Sequence, residues 1–275
     1  MNGLILSGSV LATGAAATGA LFWRYRIRRR GRYSNLAALR PGFLEQRPAG
    51  FRIDAQQDQA RDAFRQDLIT RVDDALAPET FSLARTEASA AAPHVERSYV
   101  PAHKQGGTIS YESMHELAPT CLAIYHSPVL RDWLSEVIGD KVVPTADYDQ
   151  SSCSLLVYDR AGDHIGWHYD HNFYRGRHFT VLISLINRSA AGELSASLLQ
   201  QQRSDGSERT FDTSENTLVL FEGARVRHRA TAIAEGDLRT ILSMTYSTDP
   251  RTGPIKELAR RVKDMAFFGL RALWD

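Results

Sequence analysis

The stretch G166-W-H-Y-D-H-N172 decides how this chain folds and what it binds, because His168 and Asp170 stand two positions apart within it. On an extended strand, residues i and i+2 share one face, so this imidazole and this carboxylate can reach one metal ion. A further 57 residues separate Asp170 from His228, enough for several strands to intervene. Two imidazoles and one carboxylate on one side of a metal leave other coordination positions open. We therefore predict that His168, Asp170 and His228 are metal ligands.

A second His-x-acid pair, His94-Val95-Glu96, shows that the spacing alone carries little weight. It follows the stretch A88-S-A-A-A-P93, whose composition is typical of a loop. No downstream histidine or arginine pattern completes it. We interpret His94 and Glu96 as solvated loop residues and keep the first pair as the candidate site.

The strand pattern R239-T-I-L-S-M-T-Y246 places Arg239 and Ser243 on one face. An arginine that points into a fold is costly unless an anion meets it. A guanidinium and a carboxylate paired through two hydrogen bonds are the strong solution. Tyr158 ends the apolar strand S152-C-S-L-L-V-Y158 and could add a hydroxyl to the same carboxylate. Arg239, Tyr158 and Ser243 are therefore the predicted residues for binding a carboxylate.

The order of these residues resembles the core of the Fe(II)/2-oxoglutarate-dependent dioxygenase superfamily. The resemblance covers residues 150–248 and rests on Tyr158, Gly162, His168, Asp170, His228 and Arg239. It implies a double-stranded β-helix (jelly roll), Fe(II) on the three ligands, and O2 as a cosubstrate. It also implies that Arg239, assisted by Tyr158, binds the distal carboxylate of 2-oxoglutarate. The implied reaction hydroxylates an unactivated C–H bond of a small molecule or lipid and releases succinate and CO2.

The local sequence around His168 and Asp170 is similar to one branch of that superfamily. The similar segments are G166-W-H-Y-D-H-N172 and R177-H-F-T180. This branch contains the free amino-acid halogenases and related hydroxylases. In the halogenases Gly or Ala replaces the carboxylate ligand and opens a position for halide. Asp170 stands there in this chain, which indicates hydroxylation rather than halogenation. Three residues near the rim are candidates for contacts with substrate or for support of the ligands: Trp167, Asn172 and Arg177.

Length and composition place the chain among ordinary globular proteins. It has 275 residues, 43% of them hydrophobic and 24% charged, which suits one sizeable domain or two small ones. Cys121 and Cys153 cannot form a disulfide framework, which favours a reducing compartment. Residues 1–44 carry seven arginines and no acidic residue, so the rest of the chain has a net negative charge. A domain of that charge has no electrostatic reason to bind nucleic acid.

The N-terminal pattern indicates a membrane anchor. Residues 4–23 carry no charge and match the length needed to cross a bilayer, although many of them are Ala, Gly, Ser or Thr. The cluster W23-R-Y-R-I-R-R-R30 predicts that the catalytic domain lies on the cytoplasmic side. We expect a single-pass anchor over 1–30, with small residues spaced four apart that could pair two copies as a homodimer. An organellar presequence is the alternative, because no acid precedes Glu45.

The remaining patterns predict a linker over 31–53 and a catalytic domain over 54–275 of α+β class. Helices would precede the strand-rich core and pack on one side of it. Phe64, Leu68, Val72 and Leu76 recur at spacing four and predict one helix that ends at Pro78. A last helix over 254–274 would pack against the sheet through a face that contains Ile255, Leu258, Val262 and Met265.

Three other functions fit parts of these patterns. A cupin-like metal-binding protein without oxygenase activity would keep the ligands but would not need Arg239. A membrane-tethered adaptor with an inactive site would not need the complete ligand set. A protein or peptide hydroxylase of the same superfamily would share all of the site residues. The sequence leaves the substrate and the oxidised position open.

Overall fold

The computed structural model describes residues 23–24, 27, 31, 34–38, 40–42, 44–101, 103–147 and 149–268, with side chains up to residue 264. Apart from positions 23, 24 and 27, the predicted anchor over 1–30 lies outside the described residues. Within the part of the chain that is described, no helix is both long and apolar enough to cross a membrane. The anchor, its orientation and the homodimer therefore stay predictions.

Six α-helices and twelve strands have bounds within the described residues. The helices are α1 (Gln57–Asp67), α2 (Pro78–Ala91), α3 (Tyr111–Leu117), α4 (Pro119–His126), α5 (Pro128–Ile138) and α6 (Pro254–Phe268). The first strands are β1 (Ile69–Val72), β2 (Glu96–Val100), β3 (Lys104–Ile109), β4 (Val143–Pro144), β5 (Cys153–Tyr158) and β6 (His164–His168). The others are β7 (His178–Arg188), β8 (Leu199–Gln202), β9 (Glu208–Phe211), β10 (Leu218–Phe221), β11 (Arg227–Ala230) and β12 (Leu238–Ser247).

All strand pairs are antiparallel and run in the order β1-β10-β7-β12-β5-β3-β6-β11-β8-β9. Strand β2 pairs with β3, and β4 pairs with β12. The result is a curved, barrel-like sheet in which five helices precede β5 along the chain, consistent with the predicted jelly roll. The α+β class is confirmed.

The central strands β7 and β12 are buried on both faces, because each face meets a different partner. Alternate side chains enter the hydrophobic core shared with the helices: Val181, Ile183, Leu242 and Met244. The intervening side chains line an internal cavity: Thr180, Leu182, Ile241, Ser243 and Thr245. This two-residue period lets one strand stabilise the fold and form the site at the same time.

The helix predicted to end at Pro78 is half as long as expected. α1 ends at Asp67, and Leu68 takes a left-handed backbone with φ 57°. Ile69–Val72 then forms β1, which pairs with β10 at the border of the sheet. Three β-branched residues in this segment, Ile69, Thr70 and Val72, suit a strand, and pairing with β10 outweighs the helical spacing.

The last helix also departs from expectation, because its apolar face is turned to solvent. Ile255, Leu258 and Val262 are 84%, 64% and 54% exposed, whereas Arg260 is fully buried. Arg260 is paired with Glu257 at 2.8 Å and with the buried Asp264. The inward face of α6 is charged because the surface beneath it carries the buried carboxylate of Asp149, which needs cationic partners.

The segment 31–53, predicted to be a linker, contacts the domain. Its described residues between 31 and 46 are helical. Arg40 forms an ion pair with Asp147, and Arg47 lies 2.7 Å from Glu87 in α2. These contacts attach the described part of this segment to the domain, and the boundary at residue 54 stays a prediction.

Candidate metal centre

The three predicted ligands come together where β6 and β11 pair. His168 and His228 are partners in the antiparallel register, and their ring centroids are 4.2 Å apart. Asp170 follows β6, and its Oδ1 lies 3.4 Å from Nε2 of His168 and 3.8 Å from Nε2 of His228. One ligand atom from each of the three residues lies within 4.8 Å of the other two. The arrangement is compact enough to hold a single metal ion.

Both imidazoles present the nitrogen that a metal requires. Nδ1 of His168 donates to the carbonyl of Gly166 at 2.8 Å, and Nδ1 of His228 donates to the carbonyl of Val226 at 3.0 Å. Because a carbonyl can only accept, each Nδ1 carries a proton, and each Nε2 is the nitrogen that faces the site. Burial lowers the pKa of His228 to about 4, which keeps its ring neutral.

Asp170 is fixed from several sides. Its backbone N–H donates to the carbonyl of Gly223 at 2.9 Å, and Thr180 donates its hydroxyl to Oδ2 at 2.5 Å. A Cβ at position 223 would collide with the Asp170 carboxylate, so glycine is required there. Burial alone would raise the pKa of Asp170, but His228 and His168 together hold it well below its ordinary value. The carboxylate is therefore charged and held in place.

A buried cationic group, the guanidinium of Arg239, lies in the same cavity as these candidate ligands. Arg239 of β12 is the register partner of Tyr158 of β5, and its guanidinium carbon lies 5.8 Å from the centre of the Tyr158 ring. Arg239 is 2% exposed and donates through Nη1 to Ser197 Oγ at 3.0 Å. Its Nε is buried and has no hydrogen-bond partner among the described residues. A buried guanidinium with an unused donor fits a bound carboxylate.

One cavity of about 340 Å³ joins the two groups. Its lining includes His168, Asp170 and His228 as well as Tyr158, Arg239 and Ser243. The volume falls in the range of small-molecule sites. Two imidazoles and a carboxylate are the ligand set typical of non-haem iron centres, and the Arg239 pocket fits the far carboxylate of a chelating keto acid.

The three candidate substrate residues lie outside this cavity lining. The side-chain amide of Asn172 is used within its own loop, where it donates to the carbonyl of Gly176 and accepts from the N–H of Tyr174. Arg177 pairs with Glu222 at 2.8 Å. Trp167 packs under the guanidinium of Arg229, whose central carbon lies 4.4 Å from a ring centre. Each supports loops or strands around the centre instead of lining the cavity.

The cavity contains charged residues that the sequence did not single out. Lys104 on β3 and Lys263 on α6 both line it, as does the buried Asp149. The sequence did not predict strand β3 in the segment K104-Q-G-G-T108, because two adjacent glycines disfavour a strand. Gly106 lies against the Tyr158 ring, where a Cβ would be only 3.3 Å from two ring carbons. The signal available in the sequence was the i, i+4 pair Lys104 and Thr108, which share a face of a strand.

The second His-x-acid pair forms no metal group. His94 ends a short 3₁₀ turn (Ala92–His94), and Glu96 begins β2. Among the described residues, only His168, Asp170 and His228 form a cluster of three or more such ligands. The interpretation of His94 as a non-ligand agrees with this, although Glu96 belongs to a strand and not to a loop.

Comparison with known proteins gives one family match and several matches of the fold. A family model described as Halogenase D matches residues 53–177, which include His168 and Asp170 but end before His228. No curated protein sequence gives a significant match.

Several solved structures share the fold over about 70% of the chain. The non-haem α-ketoglutarate-dependent epimerase SnoN from nogalamycin biosynthesis aligns with a TM-score of 0.58 and 14% identity, covering 70% of this chain and 81% of its own. A prolyl hydroxylase from Trichoplax adhaerens aligns at 0.58 and 12% identity, covering 71% and 90%. A prolyl-4-hydroxylase from Pseudomonas putida aligns at 0.52 and 15% identity, covering 71% and 99%. SnoN has also been solved with Fe³⁺ and α-ketoglutarate. At these identities the likeness establishes the fold.

Proposed function

We propose that this chain, which has the fold of the Fe(II)/2-oxoglutarate-dependent dioxygenase superfamily, is an oxygenase that acts on a small organic molecule. One observation carries the proposal. The two imidazoles and the carboxylate share a cavity with a buried arginine whose Nε has no partner among the described residues. A metal centre alone would not need this arginine, whereas a dicarboxylate cosubstrate that chelates the metal does.

Each group has a defined task in this proposal. His168, Asp170 and His228 would hold Fe(II), and Arg239 with Tyr158 and Ser243 would bind the distal carboxylate of 2-oxoglutarate. The bound iron with O2 and 2-oxoglutarate would supply the oxidising chemistry and release succinate and CO2. The protein positions the substrate and limits access of water. The 2% exposure of Arg239 strengthens its electrostatic attraction for a carboxylate.

Asp170 supports hydroxylation over halogenation, even though the matching family model is described as a halogenase. A halogenase of this kind leaves the carboxylate position vacant for halide. Here the carboxylate is present, charged, and held by Thr180 and the backbone of Gly223. We expect a hydroxylated product in buffer with chloride and no chlorinated product by mass spectrometry. A chlorinated product from the wild-type protein would contradict this assignment.

The alternatives make different use of the same cavity. A cupin-like metal-binding protein has no need for Arg239 beside Tyr158. A peptide hydroxylase shares the chemistry, and a prolyl hydroxylase is among the structures with this fold. The cavity volume of about 340 Å³, with α6 supplying Lys263 to its wall, favours a small molecule. Succinate release measured across small organic acids, amines, lipids and short peptides separates these cases.

The proposal is tested by anaerobic titration of the full chain with Fe(II) and 2-oxoglutarate. A weak visible charge-transfer band should appear, and His168→Ala should abolish it together with iron binding. Arg239→Met should keep iron binding but lower the affinity for 2-oxoglutarate about tenfold or more, because a charge-assisted hydrogen-bonded pair is lost. A wild-type protein that binds no iron, or that gives the same cosubstrate affinity as Arg239→Met, would refute the proposal.

A further inference from the structure

Two lysines from distant parts of the chain line the wall of the same cavity. Lys104 of β3 is 2% exposed and donates to Thr108 Oγ1 at 3.1 Å. Lys263 of α6 donates to Ser151 Oγ at 2.9 Å and lies 3.6 Å from Asp149 Oδ1. Both side chains line the cavity that contains the metal ligands. Neither has a role in holding the metal or in the Arg239 pocket.

The two ammonium groups are close enough to influence each other. Burial lowers the pKa of Lys104 to about 7, and the charge of Lys263 contributes to the same effect. Lys263 already has anionic partners, because Asp149 and Asp264 lie 3.6 Å and 3.5 Å from its ammonium group. For Lys104, burial is the main reason why the charged form is unfavourable. An anionic group of a ligand placed beside Lys104 would favour that charged form, whereas a neutral molecule would not.

This cationic wall is distinct from the arginine pocket. Arg239 lies on β12 beside Tyr158 and donates to Ser197 Oγ. Lys104 lies where β3 pairs with β6, opposite Ile165, and donates to Thr108 Oγ1. A 2-oxoglutarate molecule has one distal carboxylate, which Arg239 receives in the proposed function. An anion at Lys104 would belong to another molecule.

We propose that Lys104, assisted by Lys263, binds an anionic group of the substrate and so restricts the substrate to small organic anions. A carboxylate and a phosphate monoester share the required chemistry. This inference rests on the proposed function, because the anion bound at Lys104 is a substrate only if the chain is an oxygenase. Lys104 would fix one end of that molecule while its other end lies towards His168 and Asp170.

The test uses the full chain loaded with Mn(II), which does not turn over, and saturating 2-oxoglutarate to fill the Arg239 pocket. Calorimetry then compares four matched probes: hexanoate, hexyl phosphate, hexanamide and hexylamine. Wild type should bind at least one of the two anions more tightly than the amide and the amine. Lys104→Met should reduce that anion affinity about tenfold or more, because a charge-assisted hydrogen bond is lost. Lys104→Arg should retain most of it.

Matched controls separate this effect from a general loss of charge or fold. Lys141→Met removes an exposed lysine and should leave all four affinities unchanged. Lys104→Gln replaces Lys104→Met if the latter does not fold, as judged by its melting temperature. Equal binding of anions and neutral probes by wild type, or equal anion affinity in the Lys104 variants, would overturn the inference. A lower affinity for 2-oxoglutarate in the Lys104 variants, with unchanged affinity for the probes, would also overturn the inference, because Lys104 would then bind the cosubstrate.

A metal-free arm separates the two proposals. In the Arg239→Met variant without metal, neither the metal nor the arginine can bind an anionic probe. If this variant still prefers anions, and if adding Lys104→Met removes the preference, the result supports the inference by itself. Absence of such a preference counts against it. Failure of wild type to bind metal and 2-oxoglutarate would refute the proposed function and leave this second measurement valid.

Discussion

The carboxylate of Asp170 depends on the absence of a side chain at Gly223. The backbone carbonyl of Gly223 receives the Asp170 N–H, and its Cα approaches the carboxylate so closely that a Cβ has no space. The proposed metal ligand Asp170 is thus positioned by a residue that has no side chain. Such supporting positions commonly change metal affinity by about ten- to a hundredfold when altered.

We expect Gly223→Ala to weaken Fe(II) binding about tenfold, because the methyl group displaces Asp170 from the two histidines. Isothermal titration with Fe(II) or Mn(II) under anaerobic conditions measures this. Gly253→Ala is the matched control, since a Cβ at Gly253 meets no atom within 4 Å. An unchanged metal affinity in Gly223→Ala would show that Asp170 can move without loss of ligation.

The environment of Lys104 predicts how stability depends on pH. An unfolded lysine has a pKa of about 10.4, whereas burial and Lys263 lower the pKa of Lys104 to about 7 in the fold. Between these values the unfolded chain binds more protons, so this residue makes the free energy of unfolding rise with pH. The neighbours that face it include His103, Thr108 and Lys263, from its own strand region and from α6.

Urea unfolding of the ligand-free protein at pH 6.5, 8 and 9 measures this contribution. We expect the difference in free energy of unfolding between wild type and Lys104→Met to shift in favour of wild type as pH rises, by up to about 1 kcal/mol per pH unit. A constant difference across the three pH values would contradict the lowered pKa. Lys141→Met again serves as the control, because Lys141 is exposed.

The grouping of the three candidate ligands, and of Arg239 with Tyr158, was predictable because strand alternation fixes which residues share a face. His168, Asp170 and Arg239 each lay in or beside an apolar stretch with a clear period of two. Lys104 was missed because Gly106 and Gly107 interrupt that pattern. Trp167, Asn172 and Arg177 were placed by closeness in sequence, which does not specify on which side of a loop a side chain lies.

At the level of elements, α6 shows how tertiary contacts can reverse an amphipathic pattern. Its apolar residues predicted burial against the sheet, but the surface beneath it carries Asp149, a buried carboxylate. Lys263 and Arg260 oppose the effect of burial on that carboxylate and hold its pKa below the ordinary value. Helical periodicity indicates which residues share a face, and the charge of the partner surface decides which face turns inward.

This arrangement predicts unequal effects of substitutions on the two faces of α6. Arg260→Met should destabilise the protein by about 3 kcal/mol, because it leaves the carboxylates of Glu257 and the buried Asp264 without their partner. Leu258→Ser, on the exposed face, should change stability by less than about 0.5 kcal/mol. Denaturant unfolding of both variants checks the prediction. A larger loss in Leu258→Ser would mean that the apolar face is covered in solution.

At the level of the whole molecule, the order and class of most elements were predictable from the sequence, and the pairing of distant strands was not. The helix α5 begins directly after Ser127, with Pro128 at its first position, and it ends at Gly139, which takes a positive φ of 75°. Serine, proline and glycine at these places are capping signals in the sequence. By contrast, β1 was predicted as helix, because its role is defined by β10, which lies about 150 residues later. Local capping signals are contained in the sequence nearby, whereas a strand at the sheet border depends on its partner.

Because the metal and cosubstrate bind the fold and not the unfolded chain, they should stabilise it globally. At a hundred times the dissociation constant this amounts to about 2.7 kcal/mol, or a rise in melting temperature of about 5 °C or more for a chain of this size. Differential scanning fluorimetry with Mn(II) and 2-oxoglutarate tests this, and excess chelator should reverse it. No shift in wild type, or an equal shift in His168→Ala, would contradict specific binding.

Because His168 and His228 are partners on neighbouring strands, a metal bound to both would also affect how the sheet assembles. The two rings face each other only in one register of β6 and β11, and a slip by one residue would turn His228 to the opposite side of the sheet. A bound ion would therefore tie together two strands that are far apart in sequence, and it would penalise every misaligned pairing. Metal uptake by the newly made chain would then report that the sheet has closed correctly.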